Sequence, residues 1–193
     1  MNILITSNDP YPQYIGGDKR VAISLAKEWT RCGHNAFFLC YSPSLLRKSE
    51  VDGIEQLFFP DNNHLFSDRN LSIFRKTIME RKVQIVLHQH PKVPEFNRMC
   101  FSLNTSAKLV SVVHFDIAHE EKVLARSFFV KMRNGRNIKR WVIDGFLYVK
   151  YLLFAKRKLY NELVRLYTDI YEHSDCVALL SSSYIDSFIN YVP

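Results

Sequence analysis

Short apolar runs that stop at polar residues alternate along this chain with stretches of helical spacing. Ile3-Leu4-Ile5 stops at Thr6-Ser7 and reads as a strand. A Pro-containing loop follows, then the pair Gly16-Gly17. Ala22, Leu25, Ala26 and Trp29 fall at i, i+3, i+4 and i+7, which predicts a helix with one apolar stripe. Asp18 stands where an N-cap or first-turn acid belongs, and Gly33 where a C′ residue belongs. Ala36-Phe37-Phe38-Leu39 is the next strand.

The same alternation continues. Ile54–Phe59 reads as a strand closed by Pro60-Asp61-Asn62-Asn63. Leu71, Phe74, Ile78 and Met79 mark a helix, and Gln84–Leu87 a strand ending in His88-Gln89-His90-Pro91. A helix over Glu95–Leu103 precedes a strand over Lys108–Val113, which ends at His114-Phe115-Asp116. Near the end, Cys176–Leu180 reads as a strand, and Ser181-Ser182-Ser183 leads into a short helix. Strands alternating with helices predict a Rossmann-like α/β fold, a parallel sheet with helices on both faces. The strands are continuous apolar runs, as a sheet covered on both sides requires. Ligands bind such sheets at the carboxyl ends of the strands, where the polar residues of this chain fall.

The longest helical pattern runs from Ile138 to Ile170. Val142, Phe146, Val149, Leu153, Tyr160, Leu163, Tyr167 and Ile170 form its stripe, with a gap at Lys156-Arg157. Charge concentrates there. Between Lys122 and Arg165 twelve Lys/Arg face two acids, +10, while the rest of the chain sums to −3. Two readings stay open: a helix whose apolar side covers the sheet, and an amphipathic basic helix lying on an anionic membrane surface.

The 193 residues, 47% hydrophobic and 23% charged, suit a globular protein and are most simply one domain, 1–193. No run of apolar residues is long enough for a transmembrane helix, and no basic region precedes the first strand as in a signal peptide. These features predict a cytoplasmic protein, with peripheral contact at the inner membrane face through 122–165. Cys32, Cys40, Cys100 and Cys176 show no zinc spacing and read as buried, reduced thiols.

The glycine pair lacks the three-glycine dinucleotide spacing, so by itself it reads equally as a tight turn or as a backbone approach to phosphate. The wider pattern resembles the N-terminal domain of retaining GT-B glycosyltransferases, the large family often called GT4. The resemblance rests on "NILITSNDPYPQYIGGDKRVAISLAKEWTRCGHNAFFL", "QIVLHQH", "LVSVVHFD" and "SDCVALLSSSYIDSF" in that order. It is weakest over Ser42–Lys82 and Glu120–His173. In that family two Rossmann-like domains face each other across a cleft, the first binding mainly the acceptor and the second the nucleotide-sugar donor. The resemblance therefore implies half an enzyme, with the C-terminal donor-binding domain absent from this chain and no turnover by the half alone.

The resemblance assigns roles residue by residue. Gly16 and Gly17 would approach the donor diphosphate. His114 would sit near the reacting sugar as the catalytic position, against the alternative of a histidine satisfied by nearby backbone. His90, Asp116, Lys19 and Arg20 would line the acceptor side, although Asp116 also suits a helix cap and Lys19 and Arg20 a solvated first turn. His88, His90, His114 and His119 could be read as a metal cluster, but no carboxylate or cysteine stands at ligand spacing, and the family is usually metal-independent. Ser181 and Ser182 read as a helix N-cap before a ligand contact. The implied partners are a nucleotide-sugar co-substrate and a glycan or lipid-linked acceptor, with no metal, no other cofactor and no nucleic acid. Phe128, Phe129, Trp141 and Tyr148 interleave with basic residues but form no nucleic-acid recognition motif. The alternative is a non-catalytic Rossmann-like module that holds an anionic partner through its basic segment.

Overall fold

The structure, a computed structural model, describes residues 1–7, 17–42, 49–89, 91–114, 138–151, 153 and 156–192. It divides into two compact units, Met1–His114 with Ile170–Ala178, and Phe115–Asp169 with Leu179–Pro193.

The first unit is built on a seven-stranded sheet. Its strands are β1 (Asn2–Ser7), β2 (Asn35–Cys40), β3 (Glu50–Val51), β4 (Ile54–Phe58), β5 (Ile85–His88), β6 (Lys108–Val113) and β7 (Cys176–Leu179). Their spatial order is β3-β4-β2-β1-β5-β6-β7. Pairs β1–β2, β2–β4, β1–β5 and β5–β6 are parallel. The edge pair β3–β4 is antiparallel, a hairpin whose two turn residues, Asp52 and Gly53, both have positive φ. The chain builds β2 and β4 on one side of β1, then β5, β6 and β7 on the other. The order reverses between β1 and β5, where open α/β sheets form their binding crevice.

Both faces are covered, because successive strand residues point to opposite sides. Ile3, Ile5, Phe38, Leu87 and Val112 pack with Ala22, Ile23 and Ala26 of α1 (Gly17–Arg31). The alanines leave α1 close to the sheet. Leu4, Phe37, Leu39, Val86 and Leu109 pack on the other side with Phe74 and Ile78 of α2 (Asp68–Glu80) and Phe96, Met99 and Cys100 of α3 (Pro94–Phe101). Phe59 lies edge-on between Phe74 and Phe96, with ring centroids at 5.7 and 6.3 Å. Met79, expected in the α2 stripe, is exposed instead.

α1 ends in a Schellman motif. Gly33 sits at φ +80°, with Gly33 N–H donating to Thr30 C=O and His34 N–H to Trp29 C=O. α2 ends the same way, but the residue at φ +48° is Lys82. Cys40 and Cys100 are buried free thiols, whereas Cys32 and Cys176 are exposed, contrary to the sequence reading.

The second unit contains α4 (Ile138–Lys150), most of α5 (Lys156–His173) and α6 (Tyr184–Ile189). The long pattern thus contains the α-helices α4 and α5. Leu163 and Tyr167 of α5 are buried, and Tyr167 meets Phe188 edge-on at 5.9 Å. Val142, Phe146, Val149 and Leu153, which the sheet-covering reading of the stripe would bury, are exposed. No helix among the described residues is long and apolar enough to cross a membrane.

Candidate functional site at the carboxyl edge of the sheet

Register aligns Thr6 with His88 and His88 with Ser111, so the three central strands carry a row of polar residues near their carboxyl ends. All three are fully buried, and so is Ser7. Thr6 Oγ1 donates to Leu87 C=O at 3.4 Å, and the hydroxyls of Ser111 and Ser174 share a hydrogen bond at 2.7 Å. Buried polar side chains need such partners to avoid a desolvation cost of about 1–3 kcal/mol each.

His88 belongs to this buried layer. Its Nε2 lies 2.7 Å from Asn97 Oδ1, and Asn97 Nδ2 donates to Pro91 C=O at 2.7 Å. A carbonyl only accepts, so the Asn97 amide is oriented and His88 Nε2 must carry the proton. The His88 ring also packs edge-on against Phe96 at 5.0 Å. It is a structural histidine. His90 lies outside the described residues, as do Gly16, Asp116 and His119.

The loop after β5 meets the end of β6. His114 Nε2 is 2.7 Å from Gln89 Oε1, and Gln89 is almost fully buried. With the amide oxygen as acceptor, His114 carries its proton on Nε2, which makes Nδ1 the acceptor edge of the neutral ring. Gln89 Nε2 has no hydrogen-bond partner among the described residues. Burial lowers the His114 pKa below the ordinary histidine value; the Asp18 carboxylate and a hydrogen bond with the Gln89 backbone oppose this, and the Lys92 ammonium adds to it. Lys92 is itself half-buried, and desolvation lowers its own pKa.

Asp18 brings α1 into this field. It occupies the first turn of α1, beside Gly17, Lys19 and Arg20. The first N–H groups of that helix have no intrahelical acceptor and carry its partial positive charge. Gly17 starts the helix, and a Cβ built on it meets nothing within 4 Å among the described residues. A glycine there leaves the backbone at the start of the helix open to close approach. Lys19 is half-buried and Arg20 exposed, and each takes part in interactions of its own.

The structure therefore brings together His114, Gln89, Asp18 and Lys92, with Gly17, Lys19 and Arg20 on the adjoining helix turn. Of these, Gln89 and Lys92 carried no role in the sequence reading, and Asp18 was only a helix-start residue. The available signal was the position of Gln89 and Lys92 in the loop after the strand at the order reversal. Ser181 and Ser182 do not cap α6. Ser183 holds the cap position without a side-chain cap, and its N–H donates to Ser181 Oγ.

A separate cavity of about 320 Å³ is lined by Asn2, Asn35, Glu55 and Arg81 at the amino ends of the strands. It lies at the edge opposite the one this fold uses for ligands, and Glu55 holds Arg81 across it at 2.7 Å. Compared with known proteins, the chain matches no family model and no curated protein.

Proposed function

We propose that this chain is the acceptor-side domain of a retaining, GT-B-like glycosyltransferase, working in the cytoplasm on a sugar nucleotide and a hydroxyl acceptor in cell-surface glycan or glycolipid synthesis. The observation that carries the reading is the meeting of a glycine-started helix N-terminus with the His114–Gln89 pair at the β1/β5 reversal. The resemblance of the strand-ending segments points the same way.

The chemistry divides between the two parts. The N-terminal N–H groups of α1, next to Lys19 and Arg20, suit a diphosphate. A half-buried imidazole whose pKa is lowered by desolvation is better suited to orienting a hydroxyl than to balancing phosphate charge. Rate enhancement in this scheme comes from positioning and from stabilising the departing diphosphate, with no covalent step assigned to the chain. In a GT-B enzyme a second domain grips the donor, so these 193 residues alone should bind it weakly and not turn it over.

The test is a titration of the isotope-labelled chain with UDP-glucose, GDP-mannose and inorganic diphosphate, followed by NMR. Amide shifts at Gly17–Arg20, Gln89 and His114 are expected with at least one sugar nucleotide. Gly17→Val should weaken that binding without unfolding, because a side chain there meets none of the described residues within 4 Å. Binding that Gly17→Val and His114→Ala both leave unchanged, or no binding by any of the three, rejects the proposal.

A further inference from the structure

Most surface helices turn their apolar stripe inward. On α4 the relation is inverted. Val142, Phe146 and Val149, with Leu153 just past the helix, repeat at spacings of four, three and four, and are 57%, 68%, 50% and 66% exposed. Ile143 and Leu147 widen the same exposed side. Gly145 and Tyr148 are half-buried and Tyr151 is buried. Lys150 is exposed at the helix end. A contiguous apolar surface of this kind marks an interaction site.

Leu153 also lines a cavity of about 450 Å³ with Arg157, Lys158, Asn161, Glu162 and Arg165. Glu162 approaches Lys158 at 3.7 Å, so the cavity holds three cations against one acid. Apolar stripe and cationic cavity thus share a residue and belong to one unit.

We infer that this unit docks on an anionic lipid bilayer, with α4 lying in the interface plane and lipid phosphates in the Arg157/Lys158/Arg165 cavity. A bilayer surface offers hydrocarbon and negative charge together, and this surface matches both. Two copies of the chain placed face to face would oppose like charges, since Lys139–Arg165 carries seven Lys/Arg and two acids. Single-stranded nucleic acid stacks on aromatic side chains, and here the exposed residues are aliphatic except Phe146. A spanning arrangement is excluded for the described helices by their length and polarity. The docking does not depend on the glycosyltransferase reading.

The experiment is co-sedimentation of the full chain with vesicles of phosphatidylcholine alone and with added phosphatidylglycerol. Binding should require phosphatidylglycerol and weaken with salt. Arg157→Gln/Lys158→Gln/Arg165→Gln should lower the partition constant about a hundredfold, at about fivefold per cation. Phe146→Ser/Leu153→Ser should lower it by at least about tenfold, by loss of buried apolar area. Both side chains are exposed, so circular dichroism should be unchanged. Failure of the wild-type chain to bind anionic vesicles overturns the inference, as does wild-type binding by both variants. A dimer in light scattering that Phe146→Ser dissociates, with no vesicle binding, would assign the surface to a second copy and equally overturn it.

Discussion

Asn97 holds the loop that carries Gln89 to His114, so its removal tests the architecture of the candidate site. Its two side-chain hydrogen bonds, to His88 Nε2 and Pro91 C=O, are both 2.7 Å and both buried. Asn97→Ala leaves those two groups without this partner, at about 1–3 kcal/mol each. Partial collapse and water entry recover some of that, and a net loss of about 3 kcal/mol is expected. Asn97→Leu separates hydrogen bonding from volume: it refills the space but leaves the same two groups stranded, so it should lose nearly as much. Asn97→Asp keeps an acceptor for His88 but sets a carboxylate oxygen against the Pro91 carbonyl, and should not rescue. Urea denaturation followed by circular dichroism reads the loss. With an m-value of about 2–3 kcal/mol/M, the midpoint should fall by about 1–1.5 M. The ring signals of His114 should shift in the same variants, because Gln89 moves with the loop. An Asn97→Leu protein within about 0.5 kcal/mol of wild type would show that this network does not hold the loop.

The backbone and the site's charges set further outcomes. Lys82→Gly should raise stability by about 0.5–1 kcal/mol, since relief of a left-handed non-glycine residue exceeds the added freedom of the unfolded chain. Gly33→Ala, the converse, should lower it by about 1 kcal/mol; thermal melts giving the opposite signs would refute the capping account. His114 has a lowered pKa in the fold, so the unfolded chain binds the extra proton first as pH falls. Its contribution to stability should therefore be complete above the ordinary histidine value of about 6.5, decline as pH drops through that value, and level off below the folded pKa. In an NMR titration Asp18→Asn should lower the His114 pKa further and Lys92→Met should raise it; shifts the other way would refute the geometry.

Local period made most of the fold legible in the sequence. β1, α1, β2 and β6 are each specified by residues within a few positions of one another, and their order alone implies a sheet covered on both sides. The hairpin strand β3 escaped because two residues hold no period, although Asp52-Gly53 is a turn signal. What tertiary structure alone decided is which face meets which neighbour. His88 and His114 follow their strands in the same way, yet Asn97 and Phe96, on a later helix, bury one as a core residue. Gln89 holds the other at the carboxyl edge. The stripe from Val142 to Ile170 shows the same limit. Spacing establishes that an apolar face exists, but only the folded chain determines that Tyr167 and Ile170 are covered while Val142 and Phe146 meet solvent. Periodicity is a property of neighbours in sequence, whereas burial depends on residues brought together from distant parts of the chain.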